Sequence, residues 1–445
     1  MTSPVSHKVC VVGLWHLGLV SAASLADLQY EVVGWDPDTS LIENLKRGKL
    51  PLYEPGLEEL VKAHRGTRRL RFESNCQAAV LEAQTVLIAY DTPIDEQDRV
   101  DLTLLHQTID SITPFLSHDV LVLIHSQIPV ASCERWQKTL RERRPEANID
   151  VVYSPENLRL GRALELFKHP DMIVIGSDSE RARKKAQRFY ASFPGDKFYV
   201  SWRTAEMLKH ALNGFFATSI SFANELGNLC DAVGADGVQI AQILRKDSRI
   251  GPKAQLRPGL GFAGGTLARD LRGLQDLGRT FDVPTLLIDS VLQTNERQPE
   301  QIIFMLETWF ENELRHKVFT VFGLTYKPGT STLRRSASLE IIRRLQAKGA
   351  VVRAHDPMAN LSECPDGIHS FDYFKDPYEA CQGSHGLLLL TEWPEYRDLD
   401  YERIKRRMSR PMIFDAKNHL EGERLKQLGF VYLELGRGQR TTVKR

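Results

Sequence analysis

The sequence lacks most of the features that mark membrane, secreted and metal-binding proteins. Its 445 residues include only six cysteines, at positions 10, 76, 133, 230, 364 and 381, and none forms a CxxC pair. This spacing argues against a zinc site or a disulfide scaffold and suits reduced thiols. No uninterrupted apolar run reaches the roughly 18 residues of a membrane span, and the N-terminal MTSPVSHK has no apolar secretory segment. We therefore expect a soluble, cytoplasmic protein without a metal.

An excess of charge of either sign is also absent. The chain has 58 basic and 57 acidic residues, a formal net charge of +1. Such a balance disfavours nucleic acid or an acidic membrane surface as a partner. Two basic clusters, RGTRRLRF from Arg65 and RGQRTTVKR from Arg437, are more typical of a solvated surface.

What the chain does contain is an alternation of strand and helix signals. Short apolar runs separated by charged, helix-period stretches predict buried parallel strands in a βαβ arrangement. These runs are KVCVVGL from Lys8, EVVGWD from Glu31, TVLIAYDT from Thr85, VLVLIHS from Val120, DVVYSPE from Asp150 and MIVIGS from Met172. After a mostly helical middle, strands resume with VFTVFGL from Val318, VVRAHDP from Val351, GLLLLTEW from Gly386 and PMIFDA from Pro411.

This order of elements predicts the domain organisation. A length of 445 residues allows two or three domains, each with its own core. We predict an α/β protein with two Rossmann-like doubly wound domains joined by a helical central region. The expected boundaries are 1–200, 201–313 and 314–445.

The first strand runs into a turn that is typical of dinucleotide binding. Gly13 and Gly18 take the first and third positions of a GxGxxG pattern, and Asp36 ends the next strand 18 residues after Gly18 (36 − 18). A carboxylate there accepts ribose hydroxyls and repels a 2′-phosphate, which favours NAD over NADP. Trp15 replaces the second glycine, where the pyrophosphate normally approaches the helix N-terminus. We expect weakened NAD affinity, and a Rossmann-like sheet that has lost tight cofactor binding remains an alternative.

Further motifs, in order along nearly the whole chain, resemble those of the UDP-glucose/GDP-mannose dehydrogenase family. They are PLYEPGLEEL from Pro51, DTP from Asp91, HSQIP from His125, SPENLRLGRA from Ser154, AEMLKHALNGFFATSISFANE from Ala205, KDSRIG from Lys246, GFAGGTLARD from Gly261, GLTYKPGTSTLRRS from Gly323 and TEW from Thr391. Members of this family use NAD to oxidise the C6 alcohol of a nucleotide sugar to a carboxylate. The resemblance therefore implies NAD as cofactor and, by default, a UDP-hexose as substrate.

The resemblance also assigns roles to residues. On the cofactor side it adds Thr92, Ser126 and Arg334 to Gly13, Trp15, Gly18 and Asp36. On the substrate side it implies Leu158, Arg249, Gly261, Phe262, Gly264, Gly265 and Lys327. The catalytic candidates are Lys209, Asn213, Asp270, Glu156 and Thr266.

Two of the catalytic candidates, Lys209 and Asn213, are four residues apart on a predicted helix and so share one face. Either a Lys209 amine kept neutral by burial or a water activated by Asp270 would take the C6 hydroxyl proton as the hydride leaves. Glu156 would assist through water.

The chain departs from the family pattern where the second oxidation takes place. The family's GFGGSCFPKD has a cysteine at the position of Thr266 and a lysine at the position of Arg269. Its NPEFLRE has a glutamate at the position of Leu160. The family's cysteine adds to the C6 aldehyde and forms a thioester, which suits a thiolate that is both nucleophilic and a good leaving group. Because a threonine hydroxyl ionises far less readily, we expect a single hydride transfer.

Three functions remain open at this point. They are a two-electron nucleotide-sugar dehydrogenase or redox-neutral enzyme, a four-electron 6-dehydrogenase with another nucleophile, and a non-catalytic nucleotide-sugar-binding protein. The retained Lys209, Asn213 and Asp270 favour the first two. The apolar run VPTLLIDSVLQTNERQ from Val283 is richer than one buried face requires. With the dimeric state that the family resemblance implies, it predicts a homodimer.

Overall fold

The structure is a computed structural model that describes residues 7–92, 100–156, 158–364 and 371–438. By the density of their internal contacts, the residues fall into two units, Met1–Ala211 and Leu212–Arg445. The boundary lies inside one long helix, Trp202–Val233.

The described strands of the first unit form one sheet. They are β1 (Lys8–Val12), β2 (Glu31–Trp35), β3 (Leu70–Glu73), β4 (Thr85–Ile88), β5 (Asp119–Ile124), β6 (Asn148–Tyr153), β7 (Met172–Gly176) and β8 (Asp196–Val200). Their order is β3-β2-β1-β4-β5-β6-β7-β8. Neighbours pair in parallel, except that β6 and β7 meet antiparallel at Tyr153 and Gly176.

Helices connect these strands. They are α1 (His16–Asp27), α2 (Thr39–Lys46), α3 (Leu57–His64), α4 (Cys76–Val80), α5 (Thr103–Ile112), α6 (Ser132–Arg143), α7 (Ala163–Lys168) and α8 (Glu180–Phe189), and α9 is the helix Trp202–Val233. Alternate residues of β1 belong to different hydrophobic cores: Val9 and Val11 lie in one core, and Cys10 and Val12 lie in the other. Because successive side chains of a strand point to opposite faces, both faces of this sheet are buried.

The second unit continues with the rest of α9 and then with helices before it returns to strands. Its remaining helices are α10 (Gly237–Leu244), α11 (Leu267–Phe281), α12 (Leu286–Trp309), α13 (Ala337–Ala347), α14 (Pro377–Ala380), α15 (Tyr401–Arg407) and α16 (Gly422–Gln427). Its described strands are β9 (Val318–Phe322), β10 (Val351–His355), β11 (Asp372–Tyr373), β12 (Gly386–Leu389), β13 (Met412–Asp415) and β14 (Val431–Glu434). They form a parallel sheet in the order β11-β10-β9-β12-β13-β14.

These sheets confirm the predicted fold class, two Rossmann-like doubly wound sheets with a helical region between them in sequence. Every strand that the apolar runs predict is present. The strands that the sequence does not predict are β3, β8, β11 and β14, the edges of the two sheets. Edge strands are short or half-exposed, as in the partly exposed β8 (DKFYV), so they lack a continuous apolar run. The division at residues 200 and 313 stays a prediction.

Candidate active site

The glycine turn after β1 has no room for side chains at two positions. Gly13 has a φ of +88°, and a Cβ there would lie 2.7 Å from the Tyr90 ring. A Cβ on Gly18 would lie 1.6 Å from the carbonyl oxygen of Gly13, so helix and strand approach too closely for any other residue. Trp15 occupies the N-cap position of α1, and its side chain is 47% exposed. The turn therefore keeps the packing that a dinucleotide site needs, with the indole at the surface.

Asp36 is connected to this turn by hydrogen bonds. Its Oδ2 accepts the Leu14 N–H at 2.8 Å and its Oδ1 accepts the Asp38 N–H at 2.9 Å. Burial raises the pKa of Asp36, although both bonds oppose the rise. A carboxylate has roughly four acceptor positions, so this one can hold the turn and still accept ribose hydroxyls. The glycine turn, the N-terminus of α1 and Asp36 thus fit NAD.

Thr92 and Ser126 lie at the carboxyl ends of the neighbouring strands β4 and β5. The Thr92 hydroxyl donates to the Gln127 carbonyl at 2.8 Å, and the Ser126 hydroxyl accepts the Tyr90 N–H at 2.8 Å. Both residues are buried. Nucleotides bind at the carboxyl ends of strands in sheets of this type, so the bonds fix the two cofactor-side turns where a cofactor would lie. Pro93, the last residue of the DTP motif, is outside the described residues.

Lys209 contacts the SPENLRLGRA motif. Its Nζ donates to the Glu156 carbonyl at 2.6 Å, and the Glu156 Oε2 lies 3.9 Å from the Nδ1 of His125. His125 is buried, its Nε2 is 2.9 Å from the Tyr190 hydroxyl, and burial lowers its pKa to about 3, so it is neutral near pH 7. Three predicted elements of the first unit therefore meet around Glu156.

Leu158 follows in the same motif and packs against the hydrophobic core of the first unit. This contact makes Leu158 an anchor of the loop. Asn157, between Glu156 and Leu158, is outside the described residues.

In the second unit, Asn213 and Asp270 are paired. The Asn213 Nδ2 donates to the Asp270 Oδ2. Asp270 is fully buried in the first turn of α11, and its N–H donates to the Thr266 carbonyl at 3.2 Å. Thr266 takes the N-cap position of α11, but its exposed side chain makes no capping hydrogen bond. Thr266 is thus an exposed residue, linked to the buried Asp270 through its backbone carbonyl.

The glycine loop, residues 259–265, is held by a side-chain amide that the sequence did not single out. Asn295 of α12 accepts the Phe262 N–H at 2.7 Å through Oδ1 and donates to the Phe262 carbonyl at 3.0 Å through Nδ2. Gly261 has a φ of +90°, and a Cβ there would lie 2.4 Å from the Asn295 Oδ1. Glycine is therefore required at 261 by its backbone conformation and by this contact.

The start of the same loop has a second amide clamp. Asn224 Oδ1 accepts the Gly259 N–H at 2.8 Å, and Gln298 Nε2 donates to the Gly259 carbonyl at 2.7 Å. Further along, Gly264 donates its N–H to the Arg335 carbonyl at 3.3 Å. The loop is therefore fixed at its beginning, middle and end, while Gly265 stays half-exposed.

Three cationic side chains were predicted to bind phosphate or cofactor. Lys327 lies 5.6 Å from the centre of the Tyr326 ring, and that ring is 3.4 Å from a Cβ built on Gly264. Arg249 forms two hydrogen bonds with Asp247, at 3.0 and 2.7 Å, and is 86% exposed. Arg334 is exposed. Within the second unit, the structure places the Tyr326 ring against the glycine loop and gives Arg249 an acidic partner.

Glu54 is a further buried residue whose role the sequence did not reveal, although it lies in the PLYEPGLEEL motif. It accepts hydrogen bonds from the His16 side chain and from the N–H groups of Gly161 and Ala163. Burial alone would raise the pKa of Glu54, but these bonds hold it below its usual value. The local motif contains Glu54, but only the fold shows its hydrogen-bond partners.

The described residues show no sign of a metal site or of a membrane-spanning helix. They contain no group of three or more His, Cys, Asp or Glu side chains that could hold a metal ion. No helix in the described part of the chain is long and apolar enough to cross a membrane.

Models of one protein family match three consecutive parts of the chain. The NAD binding domain of the UDP-glucose/GDP-mannose dehydrogenase family matches residues 7–194. The central domain of the family matches residues 203–297, and its UDP binding domain matches residues 320–422.

Individual proteins are similar over nearly the whole length. UDP-glucose 6-dehydrogenase of Rhizobium meliloti (strain 1021) is 33% identical over 438 residues, which cover 97% of this chain and 99% of the relative. UDP-glucose 6-dehydrogenase TuaD of Bacillus subtilis (strain 168) is 33% identical over 431 residues, 97% of this chain and 93% of the relative. The structure of a UDP-glucose dehydrogenase from Pyrobaculum islandicum superposes with a TM-score of 0.87 at 30% identity, covering 98% of this chain and 99% of that one.

Proposed function

Because the chain belongs to the UDP-glucose/GDP-mannose dehydrogenase family, an NAD-dependent oxidoreductase family, we propose that it oxidises a UDP-sugar at C6 and stops after one hydride transfer. The second half of the proposal, that oxidation stops after one hydride transfer, rests on Thr266. An exposed hydroxyl stands where the family has its thiol, at the N-cap of α11. The fit of the glycine turn and Asp36 to NAD supports the first half.

The cysteines of the chain support the absence of a thioester. All six are free, and burial raises the pKa of each thiol above its ordinary value, with the pKa of Cys76 at about 11. Since the thiolate is the reactive form, a cysteine that is kept protonated is a poor nucleophile near neutral pH. None of these cysteines is therefore a candidate to replace the family's catalytic cysteine.

The residues of the first unit supply the proton transfer. Lys209 is held by the Glu156 carbonyl at 2.6 Å, which fixes its amine beside the loop that carries Leu158. When bound, NAD would accept the hydride that leaves the C6 carbon in the proposed step. The C6 hydroxyl proton passes to Lys209 or to a water. The products are the C6 aldehyde, one NADH and one proton.

The second unit supplies an amide, a carboxylate and a hydroxyl. Asn213 lies one helical turn beyond Lys209 in α9 and donates to the buried Asp270. This pair orients a water or the sugar hydroxyl, and Thr266 binds the sugar without bonding covalently to it. Lys327 holds the nucleotide end, because an ammonium favours phosphate oxygens.

The test counts NADH per UDP-sugar consumed, with UDP-glucose as the first substrate. We expect about one NADH per sugar, against two for a thiol-dependent 6-dehydrogenase. Lys209→Ala and Asp270→Asn should each lower kcat by roughly 10²–10⁴-fold. Thr266→Ala should leave the first transfer within about tenfold, since it removes only a contact.

Two results would overturn this proposal. Two NADH per sugar, with the yield halved in Thr266→Ala, would make threonine the nucleophile. This alternative, a full four-electron UDP-sugar 6-dehydrogenase, is favoured by the similarity to two UDP-glucose 6-dehydrogenases at 33% identity. No NADH from any UDP-sugar, together with measurable binding, would indicate a non-catalytic binding protein.

We also propose that the protein is a homodimer. On α9, Phe215, Phe222 and Leu229 are 73%, 54% and 58% exposed. Their spacing of seven residues is about two helical turns, so they lie along one face. Large exposed apolar patches are rare on monomers, and a two-fold interface buries the same face of each subunit. The predicted run contributes Leu286 and Leu287, which are 76% and 66% exposed.

Sedimentation of Phe222→Asp tests this assembly. The variant should sediment as a monomer at micromolar concentration while the wild type is a dimer. Val351→Asp, which changes an exposed apolar residue of β10, is the matched control and should remain dimeric. A wild type that is strictly monomeric would contradict the proposal.

A further inference from the structure

We propose that Glu54 is a positioning residue that, with His16, forms a buried brace between the cofactor-side helix α1 and the loop that holds Lys209. This inference rests on the proposed function, because it concerns the same site. None of the roles assigned above uses either residue. The brace would make the position of the loop depend on how the N-terminus of α1 is occupied.

The hydrogen bonds of the brace all converge on one carboxylate. The His16 Nε2 lies 3.0 Å from the Glu54 Oε2, which also accepts the Gly161 N–H at 2.9 Å. The Glu54 Oε1 accepts the Ala163 N–H at 2.8 Å. The Glu54 and His16 side chains are only 1% and 6% exposed. Buried hydrogen bonds to a charged acceptor are among the strong ones, so the arrangement is rigid.

The ends of this brace lie at functionally different places. His16 is the first residue of α1 and follows Trp15 in the glycine turn. Gly161 lies near the end of the loop that precedes α7, and Ala163 is the first residue of α7. Glu54 itself precedes α3 and belongs to neither element. A single carboxylate therefore joins the pyrophosphate end of the cofactor site to the SPENLRLGRA motif.

The loop of residues 154–162 links Glu54 to Lys209. At its start, the Ser154 N–H donates to the Ile124 carbonyl at 2.9 Å. At its end, the bonds to Glu54 fix it, and between the two ends the Glu156 carbonyl accepts Lys209 at 2.6 Å. We expect a change at Glu54 to shift the end of this loop and, through it, the carbonyl that positions the Lys209 amine. Misplacement of a reacting group by about 1 Å can lower a rate roughly 10²-fold.

The hydrogen bonds at position 54 require a carboxylate. All three of its partners are N–H donors, provided that His16 carries a proton on Nε2. In Glu54→Gln the amide NH₂ would face at least one of these donors, so at least one bond is lost without a change of shape. His16→Gln keeps an N–H donor near the Nε2 position, whereas His16→Leu removes it.

Hydrogen exchange of the full-length chain, with and without saturating NADH, tests the brace directly. Peptides that cover residues 159–166 report the Gly161 and Ala163 amides. We expect NADH to slow their exchange in the wild type and in His16→Gln, and to have no effect on them in Glu54→Gln or His16→Leu. The control Glu58→Gln, an exposed residue in the first turn of α3, should respond as the wild type does.

Steady-state kinetics with UDP-glucose and NAD separate positioning from simple stabilisation. Glu54→Gln should lower kcat roughly tenfold to 10²-fold and change the KM for UDP-glucose less than about threefold. His16→Gln should recover most of the rate that His16→Leu loses. If Glu54→Gln only lowers the unfolding midpoint, with kcat and the NADH-dependent exchange unchanged, the brace has no positioning role. Because exchange needs only NADH binding, that failure is distinct from a failure of the proposed reaction.

Discussion

The contact between Gly261 and Asn295 predicts that two variants of the glycine loop will be coupled energetically. Asn295→Ala removes the two hydrogen bonds to Phe262, at 2.7 and 3.0 Å. Each such bond contributes about 0.5–1.5 kcal/mol to stability, so this variant should lose about 1–3 kcal/mol of unfolding free energy. The loss should fall on the glycine loop, for which we propose a role in binding the sugar nucleotide.

Gly261→Ala acts on the same contact from the other side. Its Cβ would lie 2.4 Å from the Asn295 Oδ1, and its φ of +90° is unfavourable for any residue with a Cβ. Overpacking costs about 1–3 kcal/mol, and backbone strain of this kind costs a further ~1–3 kcal/mol. In the Asn295→Ala background the clash is absent, so only the backbone strain remains. The double variant should therefore be about 1–3 kcal/mol more stable than the sum of the single effects predicts.

Chemical denaturation of the four proteins in this cycle measures the coupling. The KM for UDP-glucose should rise in both single variants, while the affinity for NADH should stay near that of the wild type. Gln293→Ala, an exposed residue of α12, controls for the change in helix sequence. Additive effects, or equal losses for the two ligands, would refute the reasoning that Asn295 positions the loop.

Three further predictions concern the first unit. Asp36→Ser should weaken NADH binding and raise the relative affinity for NADPH, because it removes the carboxylate and its bond to the Leu14 N–H. An unchanged ratio of the dissociation constants for NADH and NADPH, measured by fluorescence titration, would contradict this. Trp15→Gly should bind NADH more tightly in the same titration, and an unchanged affinity would remove Trp15 as an obstruction. His125 stays neutral in the folded chain, where its pKa is about 3, while the unfolded chain gains a proton below about pH 6.5. The free energy of unfolding should therefore decrease as the pH is lowered from about 6.5 to about 3. His125→Gln should make this decrease smaller in denaturation curves measured at several pH values; an identical pH dependence would oppose this.

Several features of the site could be predicted because they depend on local sequence. The glycine turn is one, since Gly13 needs a positive φ and Gly18 needs close contact with the strand. The change from thiol to hydroxyl at Thr266 stays a prediction, drawn from the contiguous motif around it. The individual roles of Lys209, Asn213 and Asp270 stay predictions, although the fold does pair Asn213 with Asp270.

The sequence by itself determined the inner strands of both sheets, because a strand covered on both faces must be apolar at nearly every position. It also determined the family and the cofactor class through motifs of adjacent residues. Only the tertiary structure decided the edge strands β3, β8, β11 and β14, and the partners of Glu54 and Asn295. Those depend on groups far apart in sequence, such as Glu54 and Gly161, which are 107 positions apart. A polar residue shows no periodic signal for such a partner, since its hydrogen bonds are set by where the folded chain brings a donor.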